Sequence, residues 1–149
     1  PSDVRGKITV TEWLMWQMGG LGPMAGQNHH FGVYAPEKIP YAINRYVNET
    51  NRLYGVLDRR LHGRSFVAGE DYSVADMAIY PWVYPWQRQQ QNLDDFPNLK
   101  RWFYAVQTRP ATIRAYAEGE ALSQNRATVT EEGKKILFGQ TSGSGQKTD

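Results

Sequence analysis

The residues best suited to chemistry lie near the start of the chain, at the end of an aromatic and methionine-rich segment. Residues 13–31 read WLMWQMGGLGPMAGQNHHF, so an amphipathic helical pattern runs into four glycines and ends in an amide and two histidines. Glycine costs backbone entropy on folding, so this density indicates either a close backbone approach or positive φ angles. The segment therefore predicts a helix that Gly19 ends, followed by a glycine-rich loop that forms the wall of a binding cleft.

Five side chains are candidates for a substrate pocket, because such pockets are mostly apolar with a few polar groups. Aromatic residues at helical spacing more often form core, so we expect only some of the aromatic candidates to face the cleft. For the polar candidates two roles stay open: they donate a hydrogen bond into the pocket, or they bond loop carbonyls and hold the turn. The candidates are Trp16, Gln27, His30, Tyr34 and Tyr84.

The two adjacent histidines do not have the pattern of a metal site. Neighbours such as His29 and His30 point in different directions on most backbones, and His62 is isolated on another predicted helix. No acid or third histidine stands at ligand spacing, and the chain has no cysteine. We therefore expect no metal. No Ser-His-Asp order, phosphate-binding glycine loop or catalytic carboxylate pair is present either.

The composition predicts one globular domain and argues against several partners. The chain has 149 residues, enough for a single sizeable core. Its net charge is +2 and its cations are scattered among acids, which argues against a nucleic-acid surface. No apolar run approaches the ~18–20 residues of a membrane span, and no signal-peptide pattern opens the chain, so we expect a cytoplasmic protein. Because the sequence begins Pro-Ser-Asp without Met, we also expect that an upstream part is missing.

The periodicity predicts an all-α fold, since no run alternates apolar and polar residues for long enough to form a strand. The clearest helix begins near Pro40 and ends at Gly63, with a stripe at spacings of four and three. Further helices are expected from Ser2, which can cap the first of them, and from Ser73, Pro97 and Pro110. The helix from Pro97 is expected to face the core with Leu99, Trp102, Phe103 and Val106. We divide the chain into a helical domain, 1–123, and an extension, 124–149, with one short helix capped within residues 128–131 and a flexible tail over 141–149. The stripe consists of Ile43, Val47, Thr50, Tyr54, Leu57 and Leu61.

The string GEDYSVADM predicts how the third helix starts. Ser73 and Asp76 have the spacing of a capping box, in which each side chain accepts a hydrogen bond from the other residue's backbone N–H. An aspartate used in this way is structural, so we do not count Asp76 as a catalytic acid.

Two longer strings resemble a known family. VAGEDYSVADM and FPNLKRWFYAVQTRPA resemble the C-terminal helical domain of cytosolic glutathione transferases. The opening segment, together with YAPEKIPYAINRYVNETNRLYGVLDRRL, is similar to the bacterial nu class, whose members include glutathione-dependent disulfide-bond oxidoreductases. The resemblance covers roughly residues 1–121. It implies a homodimer, and a thioredoxin-like domain before this one that binds most of the glutathione.

The resemblance also implies a role for Arg45, at the position where the nu class carries an arginine that points into the glutathione site. Glutathione has two carboxylates, and a guanidinium recognises a carboxylate through two parallel hydrogen bonds. From the residue pattern alone, Arg45 is one more solvated arginine on an amphipathic helix, as most are. The acids Glu49 and Asp58 on the same helix indicate a solvated salt-bridge face or a dimer seam.

Two functions follow from this reading. The first is a glutathione-dependent transferase or disulfide-bond reductase, of which this chain holds the pocket wall and much of the dimer interface, acting on glutathione and a small disulfide or electrophile. The thiol-activating residues would then lie outside the chain, so no catalytic residue is expected within it. The alternative is a non-catalytic binding or regulatory module that has kept the fold, because fold alone does not fix function.

Overall fold

The computed structural model describes residues 1–124, 130–139 and 141–142, and across these residues the chain is helical without a named strand. The chain forms two compact units, Pro1–Thr112 and Ile113–Asp149. The predicted all-α class is therefore confirmed. The predicted division at residue 123 stays a prediction.

The first helical stretch is longer than the sequence predicts. Helix α1 (Val4–Trp16) passes into a π-helical turn (Gln17–Leu21), then α2 (Gly22–His29), then a second π-helical turn (His30–Tyr34). Its N-cap is Asp3, whose side chain accepts a hydrogen bond from the Gly6 N–H at 2.8 Å, so the prediction of Ser2 as the cap is wrong.

The expectation that Gly19 ends the helix and opens a loop is also wrong. The backbone stays in the right-handed helical region at each junction from Trp16 to His30. Gly22 serves close approach, because a Cβ there would lie 2.6 Å from Gln17 Nε2 and 3.3 Å from Trp82 Cε2. The first π turn is wider than an α-helical turn, and in it the Gly22 N–H donates to the Gln17 carbonyl. Pro23, the next residue, has no N–H to donate, and the wider turn allows the helix to continue through it.

Helix α3 (Pro40–Leu61) packs against α2 and has Pro40 in its first turn, as expected. Its buried residues follow the predicted stripe over the second half of the helix, and Leu53 joins them. Ile43 and Val47, nearer the start, are half-buried. The buried set is Thr50, Leu53, Tyr54, Leu57 and Leu61.

Helix α4 (Val74–Val83) is largely buried and begins with the reciprocal capping box of Ser73 and Asp76. The Ser73 N–H donates to Asp76 Oδ2 at 2.9 Å. The other carboxylate oxygen accepts hydrogen bonds from the Val67 N–H at 2.9 Å and the Trp102 indole N–H at 2.8 Å. Asp76 therefore joins three segments of the core as well as capping its own helix.

The remaining helices are α5 (Pro97–Gln107), α6 (Pro110–Gln124) and α7 (Glu131–Phe138). Asp58 does not belong to a salt-bridge face, because its carboxylate caps α5 by accepting from the Asn98 and Leu99 N–H groups at 2.7 and 3.0 Å. Thr130 caps α7 by accepting from the Gly133 N–H at 3.0 Å. Residues 128–129 of the predicted cap, and most of the predicted tail, lie outside the described residues.

Candidate functional site

A buried amide joins three parts of the chain at the end of α2. Asn28 is 2% exposed, and its Nδ2 donates to Thr50 Oγ1 at 3.0 Å and to the Gln89 carbonyl at 3.1 Å. The Thr50 hydroxyl in turn donates to the Tyr46 carbonyl at 2.8 Å. These bonds hold the end of α2, the first half of α3 and the segment after α4 in one arrangement.

The same segment after α4 is held from a second side by Gln89, which is fully buried. Its Nε2 donates to the Trp82 carbonyl at 2.8 Å, and its Oε1 accepts from the Tyr54 hydroxyl at 2.7 Å. Burial raises the pKa of Tyr54 well above its ordinary value, so this hydroxyl keeps its proton and remains a donor. The adjacent Gln90 has a φ of 58°, a left-handed conformation that these contacts maintain.

The two histidines lie at the junction of α2 and the second π turn, and both are half-buried. The His29 ring centroid is 5.3 Å from that of Tyr34, and the His30 centroid is 5.1 Å from that of Phe31. Burial, and secondarily the positive charge of Arg88, lowers the pKa of His29. In the described part of the chain no group of three or more His, Cys, Asp or Glu side chains has a metal-binding arrangement.

Arg45 lies on the second turn of α3 with its side chain 57% exposed. Its Nη1 is 3.8 Å from Glu49 Oε2, whereas Arg52 bonds the same carboxylate at 2.9 and 2.8 Å. The Arg52 hydrogen bond is the largest cause of the lowered pKa of Glu49. Arg52 therefore lies closer to Glu49 than Arg45 does, and the ion pair of Arg45 in the described part of the chain is long and weak.

The structure does not bring all five pocket candidates together. Trp16 and Tyr34 belong to one helical stretch and are separated by 18 residues, which is roughly 25 Å at the rise of a helix. Trp16 instead packs on Trp13, and their ring centroids are 5.2 Å apart. Gln27 and His30 lie one turn apart near the Tyr34 end.

Tyr84 lies beyond the end of α4 and lines a cavity of about 400 Å³. The roles of all five candidates as pocket residues stay predictions.

The buried amides are not predicted from the sequence. Asn28 follows Leu21 and Ala25 at spacings of four and three, and all three are buried, so its position on the buried stripe was a signal that could have been used. Gln89 and Gln91 belong to the string RQQQN, which reads as a solvated polar loop. No periodicity in that string distinguishes the two buried glutamines from the exposed one between them.

A model of the family described as "Glutathione S-transferase, C-terminal domain" matches residues 33–110. This match covers half of the chain and agrees with its helical architecture, so the chain belongs to that family. No helix in the described ranges has the length and apolar character needed to span a membrane.

Curated relatives are similar over a larger share of the chain than the family model matches. The disulfide-bond oxidoreductase YfcG of Escherichia coli is 48% identical over 118 residues, covering 79% of this chain and 55% of that protein. The disulfide-bond oxidoreductase YghU of the same organism is 38% identical, covering 76% of this chain and 42% of that protein. The chain therefore spans about half the length of the curated relatives it matches.

Among solved structures, a glutathione transferase from Burkholderia graminis superposes with a TM-score of 0.71 at 39% identity. The match covers 76% of this chain and 50% of that one. That structure is described as having two glutathione molecules bound per protein subunit.

Proposed function

We propose that this chain is the C-terminal part of a glutathione-dependent transferase or disulfide-bond reductase. The observation that carries the proposal is the similarity to a structure with two bound glutathione molecules and to relatives named disulfide-bond oxidoreductases. In this proposal the chain supplies part of the pocket for a small disulfide or electrophile, part of the dimer interface, and Arg45 as a glutathione contact.

The chemistry divides between this chain and the rest of such a protein. A thiolate is the reactive form of glutathione, and hydrogen bonds to its sulfur lower the thiol pKa and raise the thiolate population. We assign those donors to a thioredoxin-like domain outside this chain. Two glutathione molecules can supply both sulfurs of a disulfide exchange, so a chain without cysteine is compatible with this reaction.

The role proposed for Arg45 is to bind and orient a glutathione carboxylate. Its side chain is more than half exposed, and its ion pair with Glu49 is long. A carboxylate that approaches it can make two charge-assisted hydrogen bonds, which are about twice as strong as neutral ones. A cytoplasmic location belongs to the same proposal, because that compartment keeps thiols reduced.

The test is turnover of glutathione with hydroxyethyl disulfide, measured on a full-length protein that contains this chain and on the chain alone. We expect turnover from the first and none from the second, because the thiol-activating donors are assigned elsewhere. Turnover by the chain alone would overturn this division. Glutathione binding without turnover in the full-length protein would favour the non-catalytic module instead.

A further inference from the structure

A groove in the unit Pro1–Thr112 lies between the segment that follows α4 and one side of α5. Its volume of about 400 Å³ lies within the range of small-molecule sites, roughly 300–1,000 Å³. Arg45 is not among its lining residues, so this groove is separate from the glutathione contact proposed above. The lining consists of Tyr84, Pro85, Trp86, Gln87, Arg88, Phe103, Tyr104 and Gln107.

The residues that line the groove carry a positive charge and no negative charge. Arg88 is the one fully charged residue among the lining residues, and no carboxylate lines the groove with it. Arg88 is exposed, and none of the ion pairs in the described part of the chain involves it. The positive charge of Arg88 contributes to the lowered pKa of His29. A single cation without a protein partner is complementary to a ligand with one negative charge.

Four of the other seven lining residues are aromatic, and the remaining three are a proline and two glutamines. Phe103 is buried and stacks on Tyr80 at a centroid distance of 5.3 Å with an interplanar angle of 23°. Tyr104 lies edge-on to Phe103 at 5.4 Å and is half-exposed. Tyr84 is also about half-exposed, so two aromatic residues at the rim present accessible surface to a planar ligand.

The segment that carries Arg88 is fixed by contacts on either side of it. The buried Gln89 bonds Trp82 and Tyr54 through its side chain, and its carbonyl accepts from Asn28. The Gln91 N–H donates to the Trp86 carbonyl at 3.0 Å. This anchoring reduces the ordering that ligand binding would otherwise require of this segment.

We propose that this groove binds a small aromatic carboxylate, with Arg88 pairing the carboxylate and the rings of Tyr84, Trp86 and Tyr104 contacting the aromatic part. The inference goes beyond the proposed function, because neither glutathione nor Arg45 takes part in the binding.

The experiment compares two probes of nearly the same shape, 2-naphthoate and the neutral 2-naphthol, by calorimetry on the 149-residue chain without glutathione. We expect 2-naphthoate to bind more tightly than 2-naphthol. Arg88→Gln should weaken 2-naphthoate by about tenfold or more, through loss of a charge-assisted hydrogen bond, and leave 2-naphthol unchanged. Tyr104→Ala should weaken both probes, since it removes an aromatic contact that they share.

The matched control is Arg59→Gln, which removes one positive charge from an exposed position on α3 outside the groove. It should leave both affinities unchanged, because the lost charge contacts neither probe. The proposal is overturned if 2-naphthoate does not bind, if it binds Arg88→Gln as tightly as the parent, or if Arg59→Gln weakens it equally. Circular dichroism of each variant separates loss of the groove from loss of the fold.

Discussion

At the scale of single residues, Arg45 and Asp76 show two opposite uses of charge. Arg45 is exposed and holds one long ion pair, so its charge is available to a ligand. Asp76 is fully buried, and both of its carboxylate oxygens accept hydrogen bonds from the protein. The first arrangement suits binding and the second suits stability, although the sequence shows each as a charged residue on a helix.

Replacing Arg45 tests the binding role. In a full-length protein, Arg45→Ala should raise the KM for glutathione by about tenfold to a hundredfold and leave the fold intact, because one charge-assisted contact is lost. Arg45→Lys should restore only part of the affinity, since an ammonium lacks the planar fork. Calorimetry and steady-state kinetics measure both variants, with Arg59→Ala as the control. Glutathione affinity equal to that of the parent would show that Arg45 is an ordinary surface arginine.

Replacing Asp76 tests the structural role. The capping box by itself predicts a loss of ~1 kcal/mol in the free energy of unfolding. The structure adds two bonds to buried donors, so Asp76→Ala should lose about 3 kcal/mol or more. Urea denaturation measures this, with Asp95→Ala, at an exposed position, as the control. A variant with unchanged stability but without turnover in the full-length protein would contradict the assignment.

At the scale of elements, the long first helical stretch sets the geometry of the candidate site. Its glycines are helical, and two of them, Gly22 and Gly26, lie where Trp82 of another helix approaches. Each of its two π turns changes the position about the helix axis of the residues that follow it, compared with a regular α-helix. The second π turn brings His29 next to Tyr34, five positions along the chain.

Two alanine substitutions in this stretch should have opposite effects. Gly19→Ala should raise the free energy of unfolding by about 0.5–1 kcal/mol, because its Cβ would meet nothing within 4 Å and alanine favours the helix. Gly22→Ala should lower it by about 1 kcal/mol, because its Cβ would press on the buried Gln17 and on Trp82. Thermal and urea unfolding compare the pair. Stabilisation by both substitutions would show that the contact at Gly22 relaxes without cost.

At the scale of the whole molecule, the described part of the chain exposes a row of apolar side chains on the first helical stretch. Four side chains that are more than half exposed lie at spacings of four, seven and three, the first three on α1 and the last in the π turn that follows it. The spacing places the three on α1 on one side of the helix. An exposed apolar row of this kind marks an interaction surface. These residues, Val4, Ile8, Met15 and Met18, support the homodimer of the proposed function.

Charging that row tests the dimer. Ile8→Glu should shift a full-length dimer toward monomer in sedimentation velocity, because a carboxylate would be buried without a partner at the interface. Ala105→Glu, at an exposed position on α5, serves as the control for negative charge added outside this row. A dimer as stable as the parent in Ile8→Glu would place the interface elsewhere.

The sequence by itself determined the fold class, most helix positions, the buried face of α5 and the family. The family follows from the resemblance of whole strings of residues. The other three depend on local periodicity, caps and prolines, as the start of α5 at Pro97 and the burial of Leu99, Trp102, Phe103 and Val106 show. Such signals act between residues a few positions apart, so one chain is sufficient to detect them.

Only the tertiary structure decided what the glycines, amides and acids do. Gly22 leaves room for Trp82, Asp58 caps a helix 39 positions further along the chain, and Asn28 is buried with Gln89, 61 positions away. These roles depend on partners that are distant in sequence. The sequence pattern of a glycine cluster, an acidic helix face or a polar loop is therefore the same whether or not those partners are present, and it does not predict these roles.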